Sequence, residues 1–161
     1  MNYTIRHFKD EDYKDIVEIT ILAFTPIHES FRQILGEKVF GLVYPDWKKS
    51  NTKYVKSLCK GKDKKNILVI ERDNRIVGFI SFFLDIKNKK GELGLNAVHP
   101  DYQNRGVGKK LYDHVLRYLK EQGIKLVEVS TGGDDSHLQA RRAYEKCGFI
   151  ELPLIKYYKA L

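Results

Sequence analysis

A glycine-rich turn at residues 103–108 lies between a strand pattern and a helix pattern, and it constrains the fold more than any other feature. Before it, Glu92 to Val98 forms a short strand-like run. After it, apolar residues recur every four positions from Val107 to Leu119, as in an amphipathic helix. Gly106 and Gly108 let backbone N–H groups approach an anion closely, and a helix N-terminus adds unpaired donors. The turn therefore suits a pyrophosphate.

Two familiar phosphate-binding loops do not match this turn. The pattern GxxxxGK[ST] does not occur, and Leu111 stands where GxGxxG needs its third glycine. NTPase and Rossmann folds are therefore not favoured. A bare GxG before a helix also serves ordinary tight turns, so a second signal is needed.

Two motifs together resemble a known family. Gln103-Asn104-Arg105-Gly106-Val107-Gly108 resembles the Q/R-x-x-G-x-G/A pyrophosphate motif of GNAT acetyltransferases, and it follows a strand as it does there. Downstream, the stretch from Ala140 to Phe149 resembles the family's A-x-x-x-Y-x-x-x-G-F segment. The resemblance spans essentially the whole chain, although only residues 91–150 carry specific motifs.

The resemblance implies acetyl-coenzyme A as co-substrate and no metal. The backbone at Ala97 and Val98 would hold the pantetheine arm like an added strand. The pyrophosphate would be bound by the turn and the first helical residues, which are Gln103, Asn104, Arg105, Gly106, Val107, Gly108 and Lys109. The side chains of Arg105, Lys109 and Lys110 would add attraction for the phosphates.

Two side chains are candidates for proton transfer. Glu92 is the candidate base, because it precedes Val98 on the predicted strand with the parity of Gly94 and Asn96; the alternative is a solvated carboxylate. By the resemblance, Tyr144 is the candidate acid that protonates the leaving thiolate. The alternative is a tyrosine that anchors its helix to the sheet.

His137 and Cys147 depart from a simple transfer site. His137 lies seven residues before Tyr144, where many relatives have an asparagine that contacts the cofactor. It is a candidate cofactor ligand, but it could also be a base or cap a helix beside Ser136. Cys147 precedes Gly148 without a nearby histidine in sequence, which argues against an acyl-cysteine and favours direct attack.

The remaining patterns predict one α/β domain over residues 1–161. The resemblance implies a GNAT fold, with a mixed, mostly antiparallel sheet of about six to seven strands flanked by helices. We predict a first helix broken at Pro26, and a three-stranded meander over residues 67–98. We also predict two final strands at Phe149 to Leu152 and Ile155 to Tyr158.

Charge and composition limit the partners. The net charge of +8 attracts any anion. The basic residues are scattered, however, and they lack the aromatic residues that alternate with basic ones in proteins that bind single-stranded nucleic acid, so nucleic acid is not expected as a partner. The first residues lack the apolar run of a secretory signal, and stretches such as Val77 to Leu84 are too short to cross a bilayer. With Cys59 and Cys147 outside any CxxC, these features predict a cytoplasmic protein.

Three functions follow, in order of preference. The first is an N-acetyltransferase that acts on a primary amine. The second is a non-catalytic module that binds coenzyme A without turnover, and the third, a nucleic-acid-binding domain, depends on charge alone. Residues 25–65, which should shape the acceptor pocket, carry no motif, and their aromatic residues at helical spacing indicate core. A homodimer is also compatible with the sequence.

Overall fold

The computed structural model describes residues 2–161 as five strands and four α-helices, connected by turns and short 3₁₀ segments. The order is β1 (Thr4–His7), α1 (Tyr13–Val43), α2 (Trp47–Lys60), β2 (Ile67–Arg72), β3 (Arg75–Asp85), β4 (Lys90–Val98), α3 (Val107–Glu121), β5 (Leu126–Val129) and α4 (Leu138–Lys146). The predicted meander, the helix after the glycine turn and the strand at Leu126 are all present.

The five strands form one sheet in the order β1-β2-β3-β4-β5. The first four strands are antiparallel to their neighbours, whereas β4 and β5 run parallel. Parallel neighbours need a crossover connection, and α3 supplies it. The glycine turn therefore lies at the carboxyl end of β4, at the start of the crossover.

Helices cover both faces of the sheet. On one face, α3 packs its buried residues, from Val107 to Leu119, onto a core that includes Ile80, Phe82 and Leu93. On the other, α1 and α2 bury side chains such as Ile16 and Val55. A strand covered on both sides reads as a nearly continuous apolar run, as β2 does at Ile67 to Ile70.

The predicted helix break at Pro26 is wrong. Helix α1 continues through Pro26, and its interruption is at Gly36, where φ is 71° and ψ is 162°. Proline removes one N–H donor, but buried Thr20 and His28, on either side of it, hold the helix against its neighbours. The break falls instead at a residue that adopts positive φ at no steric cost.

The predicted strand count is too high. No strand is formed after α4 in the described chain, so the sheet has five strands rather than six or seven. The segment 150–161 is mostly exposed: Ile150 is 97% and Leu154 is 86% accessible to solvent. An alternating sequence forms a strand only where a neighbouring strand accepts its hydrogen bonds, and here it has none.

A bulge in β4 changes which side chains share a face. Ile80 pairs with Asn96 and Phe82 with Leu93, so β4 has one residue more than β3 across this stretch. Asn96 therefore lies on the α3 face, while Glu92, paired with Phe83, lies on the α1 face. Glu92 and Asn96 have the same parity in the sequence but lie on opposite faces of the sheet, because the extra residue in β4 reverses the alternation.

A buried histidine joins α1 to α2. His28 is 7% exposed, and its ring stacks on Trp47 with centroids 4.1 Å apart. Further aromatic contacts come from Phe31, Phe40 and Tyr44. Burial, followed by the nearby charge of His137, lowers the pKa of His28 from its ordinary 6.5 to about 4. The ring is therefore neutral in the fold.

We expect acid to destabilise the protein through His28. Between pH 6.5 and 4 the unfolded chain binds a proton that the folded chain rejects, so the free energy of unfolding falls as the pH falls through this window. At pH 5 the loss is about 2 kcal/mol. Urea unfolding at pH 7 and pH 5 measures it. His28→Phe should remove this part of the pH dependence and exposed His114→Gln should keep it; an unchanged dependence in His28→Phe would refute the assignment.

Candidate active site

Strands β4 and β5 separate beside the glycine turn. Their pairing ends at Leu93 and Val129, yet β4 continues to Val98. Among residues 2–161, no strand pairs with this edge of β4 beyond Leu93. The open edge is a place where an extended ligand can add as a strand.

The glycine turn has the backbone that an anion site needs. Gly106 has φ of 75° and precedes the first residue of α3, and Asn104 also has positive φ, at 58°. A Cβ added at Gly106 would meet no atom within 4 Å. The first N–H groups of α3 lack partners within the helix, so they and the helix dipole favour an anion here.

The two strand residues predicted to hold pantetheine face opposite ways. The N–H of His99 donates to Val77 O in β3 at 2.9 Å. Because backbone groups alternate in direction along a strand, those of Ala97 also point to β3, and those of Val98 point to the open edge. The Gln103 side chain donates to Val98 O at 3.0 Å, which ties the turn to the strand end.

The basic side chains of the turn already have local contacts. Lys109 Nζ lies 2.6 Å from Asp113 Oδ2, so its charge is partly neutralised. The Arg105 guanidinium lies 5.8 Å from the centre of the Tyr102 ring, and Arg72 lies 5.7 Å from the same ring. Arg72, from the β2–β3 hairpin, is a basic residue near the turn that the motif did not indicate.

Glu92 lies beside a second carboxylate. It pairs with Glu128 across β4 and β5, so the two side chains project from the same face, and both are exposed. This face is the one that carries α1 and α2. Two neighbouring carboxylates attract a cationic group, such as an alkylammonium, to this part of the surface.

Tyr144 lies on the opposite face, in a small polar network. It is 7% exposed, and its ring packs 5.0 Å from that of Tyr112 and 5.8 Å from that of Phe149. Asn96 Nδ2 lies 3.4 Å from the Tyr144 hydroxyl, and the Tyr112 hydroxyl lies 2.8 Å from Asn96 Oδ1. The hydroxyl of Tyr144 is thus connected to the bulged strand.

His137 belongs to a closed cluster after β5. Its Nδ1 lies 2.6 Å from Asp134 Oδ1, and its ring stacks on Phe31 of α1. Ser30 donates to Asp134 Oδ2 at 2.8 Å, which joins the loop to α1. Burial raises the pKa of Asp134, but hydrogen bonds from Ser136 and Ser30 and the contact with His137 outweigh it and lower the pKa to about 2. Asp134 also accepts from Ser136 N, so this aspartate caps the turn.

Cys147 lacks the surroundings of a nucleophile. Burial, then the nearby charge of Asp113, raises the pKa of its thiol. A thiol that holds its proton is a poor nucleophile. Among residues 2–161, no three His, Cys, Asp or Glu side chains are grouped as a metal site, and no helix is long and apolar enough to span a membrane.

Sequence reasoning missed Asn96, Tyr112, Glu128 and Asp134 as members of the site. Asn96 could have been found as the one uncharged polar side chain of β4. Tyr112 has the helical spacing of a core residue, and its hydroxyl partner depends on the bulge. The neighbour of Glu92 depends on the register of β5, which no local pattern encodes.

Comparison with known proteins finds sequence matches over most of this chain. The acetyltransferase (GNAT) family model matches residues 27–149. An uncharacterised N-acetyltransferase of Methanocaldococcus jannaschii is 27% identical over 159 residues, which cover 96% of this chain and 63% of that relative. The chain therefore spans less than two thirds of that relative's length.

Two solved structures show similar folds. An N-acetyltransferase of Thermoplasma acidophilum in complex with coenzyme A has a TM-score of 0.67 at 20% identity, covering 91% of this chain and 89% of that one. A GNAT acetyltransferase of Brucella melitensis in complex with acetyl-coenzyme A has a TM-score of 0.64 at 22% identity, covering 93% and 84%. The predicted α/β fold class is confirmed.

Proposed function

This chain belongs to the acetyltransferase (GNAT) family, and on that premise we propose that it is an N-acetyltransferase that moves an acetyl group from acetyl-coenzyme A to a primary amine. The observation that carries the proposal is the open edge of β4 beyond Leu93, with the glycine turn at its end and the Tyr144 hydroxyl beside it. An extended pantetheine arm fits the edge, and a pyrophosphate fits the turn.

The cofactor would be held mainly by backbone groups. Val98 N–H faces the open edge, and the amides from Asn104 to Lys109 surround the start of α3, whereas the Gln103 N–H already donates to Pro100 O at 3.2 Å. Arg105 and Lys110 can add long-range attraction, while Lys109 contributes its amide because its ammonium group contacts Asp113. The role of His137 as a ligand stays a prediction, supported by its position directly before α4.

Glu92 is proposed to assist removal of the proton from the amine. An alkylammonium group has a pKa of about 10.4, so it must lose a proton before its nitrogen can attack. The acceptor would approach from the α1 face, where Glu92 and Glu128 lie side by side. The thiolate would leave toward the other face, where Tyr144 lies. The raised pKa of Cys147 supports direct attack without an acyl-enzyme.

We expect Glu92→Gln to lower kcat at neutral pH by about 10- to 100-fold, because amine deprotonation loses its acceptor. The loss should shrink as the pH approaches the pKa of the free amine, since the nucleophile is then already neutral. Initial rates from pH 6.5 to 10 measure it, with Glu121→Gln, which removes an exposed carboxylate at the end of α3 opposite the glycine turn, as the control. Parallel pH profiles for Glu92→Gln and the unaltered chain would show that Glu92 is only a solvated carboxylate.

A panel of amines tests the activity and its acceptor class together. Free thiol release from acetyl-coenzyme A is followed with an amino acid, a small polyamine, a peptide N-terminus, a lysine-containing peptide and an aminoglycoside. Mass spectrometry then identifies the acetylated product. Release with one class assigns the acceptor. Binding of acetyl-coenzyme A without release on any class would instead support the alternative, a non-catalytic module that binds coenzyme A.

Three further predictions accompany this function. A single domain over residues 1–161 would carry the activity, and a cytoplasmic location is supported by Cys59 and Cys147, which are both free thiols. A homodimer is supported by the exposed apolar side chains of residues 150–161 and the open outer edge of β5. Sedimentation at several protein concentrations distinguishes a dimer from a monomer.

A further inference from the structure

We propose that Asn96 and Tyr112 are positioning residues, which hold the Tyr144 hydroxyl so that its proton is directed at the sulfur that leaves the thioester. The inference depends on the proposed acetyl transfer and adds two residues to it. It comes from the direction of each hydrogen bond in the network around Asn96.

The backbone carbonyl of Gly94 fixes the orientation of the Asn96 amide. Asn96 Nδ2 donates to Gly94 O at 2.9 Å, and a carbonyl oxygen can only accept. The NH₂ group therefore faces Gly94 and its second hydrogen is aimed at Tyr144, 3.4 Å away. The bulge in β4 creates this geometry, because it turns Asn96 toward α3 and α4.

Tyr112 holds the other end of the amide. Its hydroxyl donates to Asn96 Oδ1 at 2.8 Å, and the residue is only 6% exposed. Burial, followed by the neighbouring Tyr144, raises the pKa of Tyr112 far above its usual value. The hydroxyl is therefore a permanent donor, which favours the carbonyl side of Asn96 over the amino side.

The consequence falls on the Tyr144 hydroxyl. Because Asn96 donates to its oxygen, the Tyr144 hydroxyl accepts from Asn96 and can direct its own proton at another acceptor. The same N–H would stabilise the tyrosinate that forms when the proton leaves, since hydrogen bonding to a charged form favours it. Hydrogen bonds of this length in a free enzyme often shorten when substrate binds.

The proton balance of the step is simple. The amine nitrogen forms a bond to the thioester carbon, the carbon–sulfur bond breaks, and the sulfur keeps its electron pair. The proton of Tyr144 moves to the sulfur and gives a free thiol. The substrate ammonium loses one proton through Glu92 to solvent before the attack, and the proton that the nitrogen loses after the attack restores the phenol through water, so the protein ends as it began.

Tyr112→Phe tests the proposal while keeping the aromatic ring. We expect kcat to fall by about tenfold, with the KM for acetyl-coenzyme A unchanged, because a hydrogen bond is lost without a change in packing. Tyr118→Phe is the matched control: it removes a hydroxyl from the same helix, while its ring keeps the contact with Phe82. Circular dichroism checks the fold of both.

A second readout separates orientation from general damage. Acetyl transfer from acetyl-selenocoenzyme A releases a selenol, which is a stronger acid than the thiol of coenzyme A. The selenolate therefore leaves with less help from a proton donor. The defect of Tyr112→Phe should therefore shrink with the selenium donor, as should that of Tyr144→Phe. An equal defect with both donors would mean that Tyr112 acts only through packing, and would overturn the proposal.

Asn96→Asp reverses the direction of the key hydrogen bond at constant shape. A carboxylate accepts from the Tyr144 hydroxyl and draws its proton away from the sulfur, so the loss in kcat should match or exceed that of Tyr112→Phe. Combining Tyr112→Phe with Asn96→Asp should add little further loss, because both act through one network. Full activity in either single variant would overturn the proposal while acetyl transfer stands, whereas no thiol release from the unaltered chain with any amine would overturn both.

Discussion

The variant Tyr144→Phe is expected to lower kcat for thiol release by about 100-fold, since proton transfer by a placed side chain typically contributes at least that much. The phenyl ring keeps the packing against Tyr112 and Phe149, so only the hydroxyl is removed. The KM for acetyl-coenzyme A should stay nearly constant, because the proposed cofactor contacts lie in β4 and the glycine turn. Steady-state rates at saturating amine measure the effect.

The alternative for Tyr144 makes a different prediction. If the tyrosine served only to anchor α4 on the sheet, Tyr144→Phe would retain the rate within about twofold, as expected when buried area is conserved. A loss confined to the thermal stability, with normal kcat, would support that alternative. A loss in kcat with unchanged melting temperature would support the acid.

The second large effect is expected at the glycine turn. Gly106→Glu should weaken acetyl-coenzyme A binding by at least about 100-fold, or roughly 3 kcal/mol. The new carboxylate would lie beside the N-terminus of α3, where it repels the pyrophosphate and competes for the same N–H groups. The shift in melting temperature caused by added acetyl-coenzyme A measures the loss.

Gly123→Glu is the control for charge and backbone strain. Gly123 also has positive φ, at 80°, and a Cβ there would meet no atom within 4 Å. It lies just after the other end of α3, so the variant adds the same charge and a similar strain away from the turn. Equal loss of binding in both variants would mean that strain or net charge, rather than the phosphate site, explains the result at Gly106.

Local patterns explain what the sequence predicted well. The turn at 103–108 and the helix from Val107 involve residues adjacent in the chain, and their conformation depends on glycine φ values and helical spacing that can be read directly. The meander could also be predicted from adjacent residues, because the β2–β3 turn is formed by Asp73 and Asn74, which both have positive φ, as the sequence of the turn suggests.

The failures concern features set by distant neighbours. Helix α1 passes Pro26 because tertiary packing outweighs the local preference of proline for a helix end. The bulge in β4 depends on its pairing with β3, and it moves Asn96 to the face of Tyr144. The segment 150–161 has a strand-like sequence but no strand beside it. A single-sequence pattern contains none of these relations.

Calorimetric titration of the unaltered chain with acetyl-coenzyme A and with desulfo-coenzyme A tests the central claim most directly. If the open edge of β4 and the turn at 103–108 form the cofactor site, both ligands bind saturably at one site per chain with similar affinity, because neither the edge nor the turn needs the sulfur. If neither ligand binds, the claim that this chain uses acetyl-coenzyme A is contradicted.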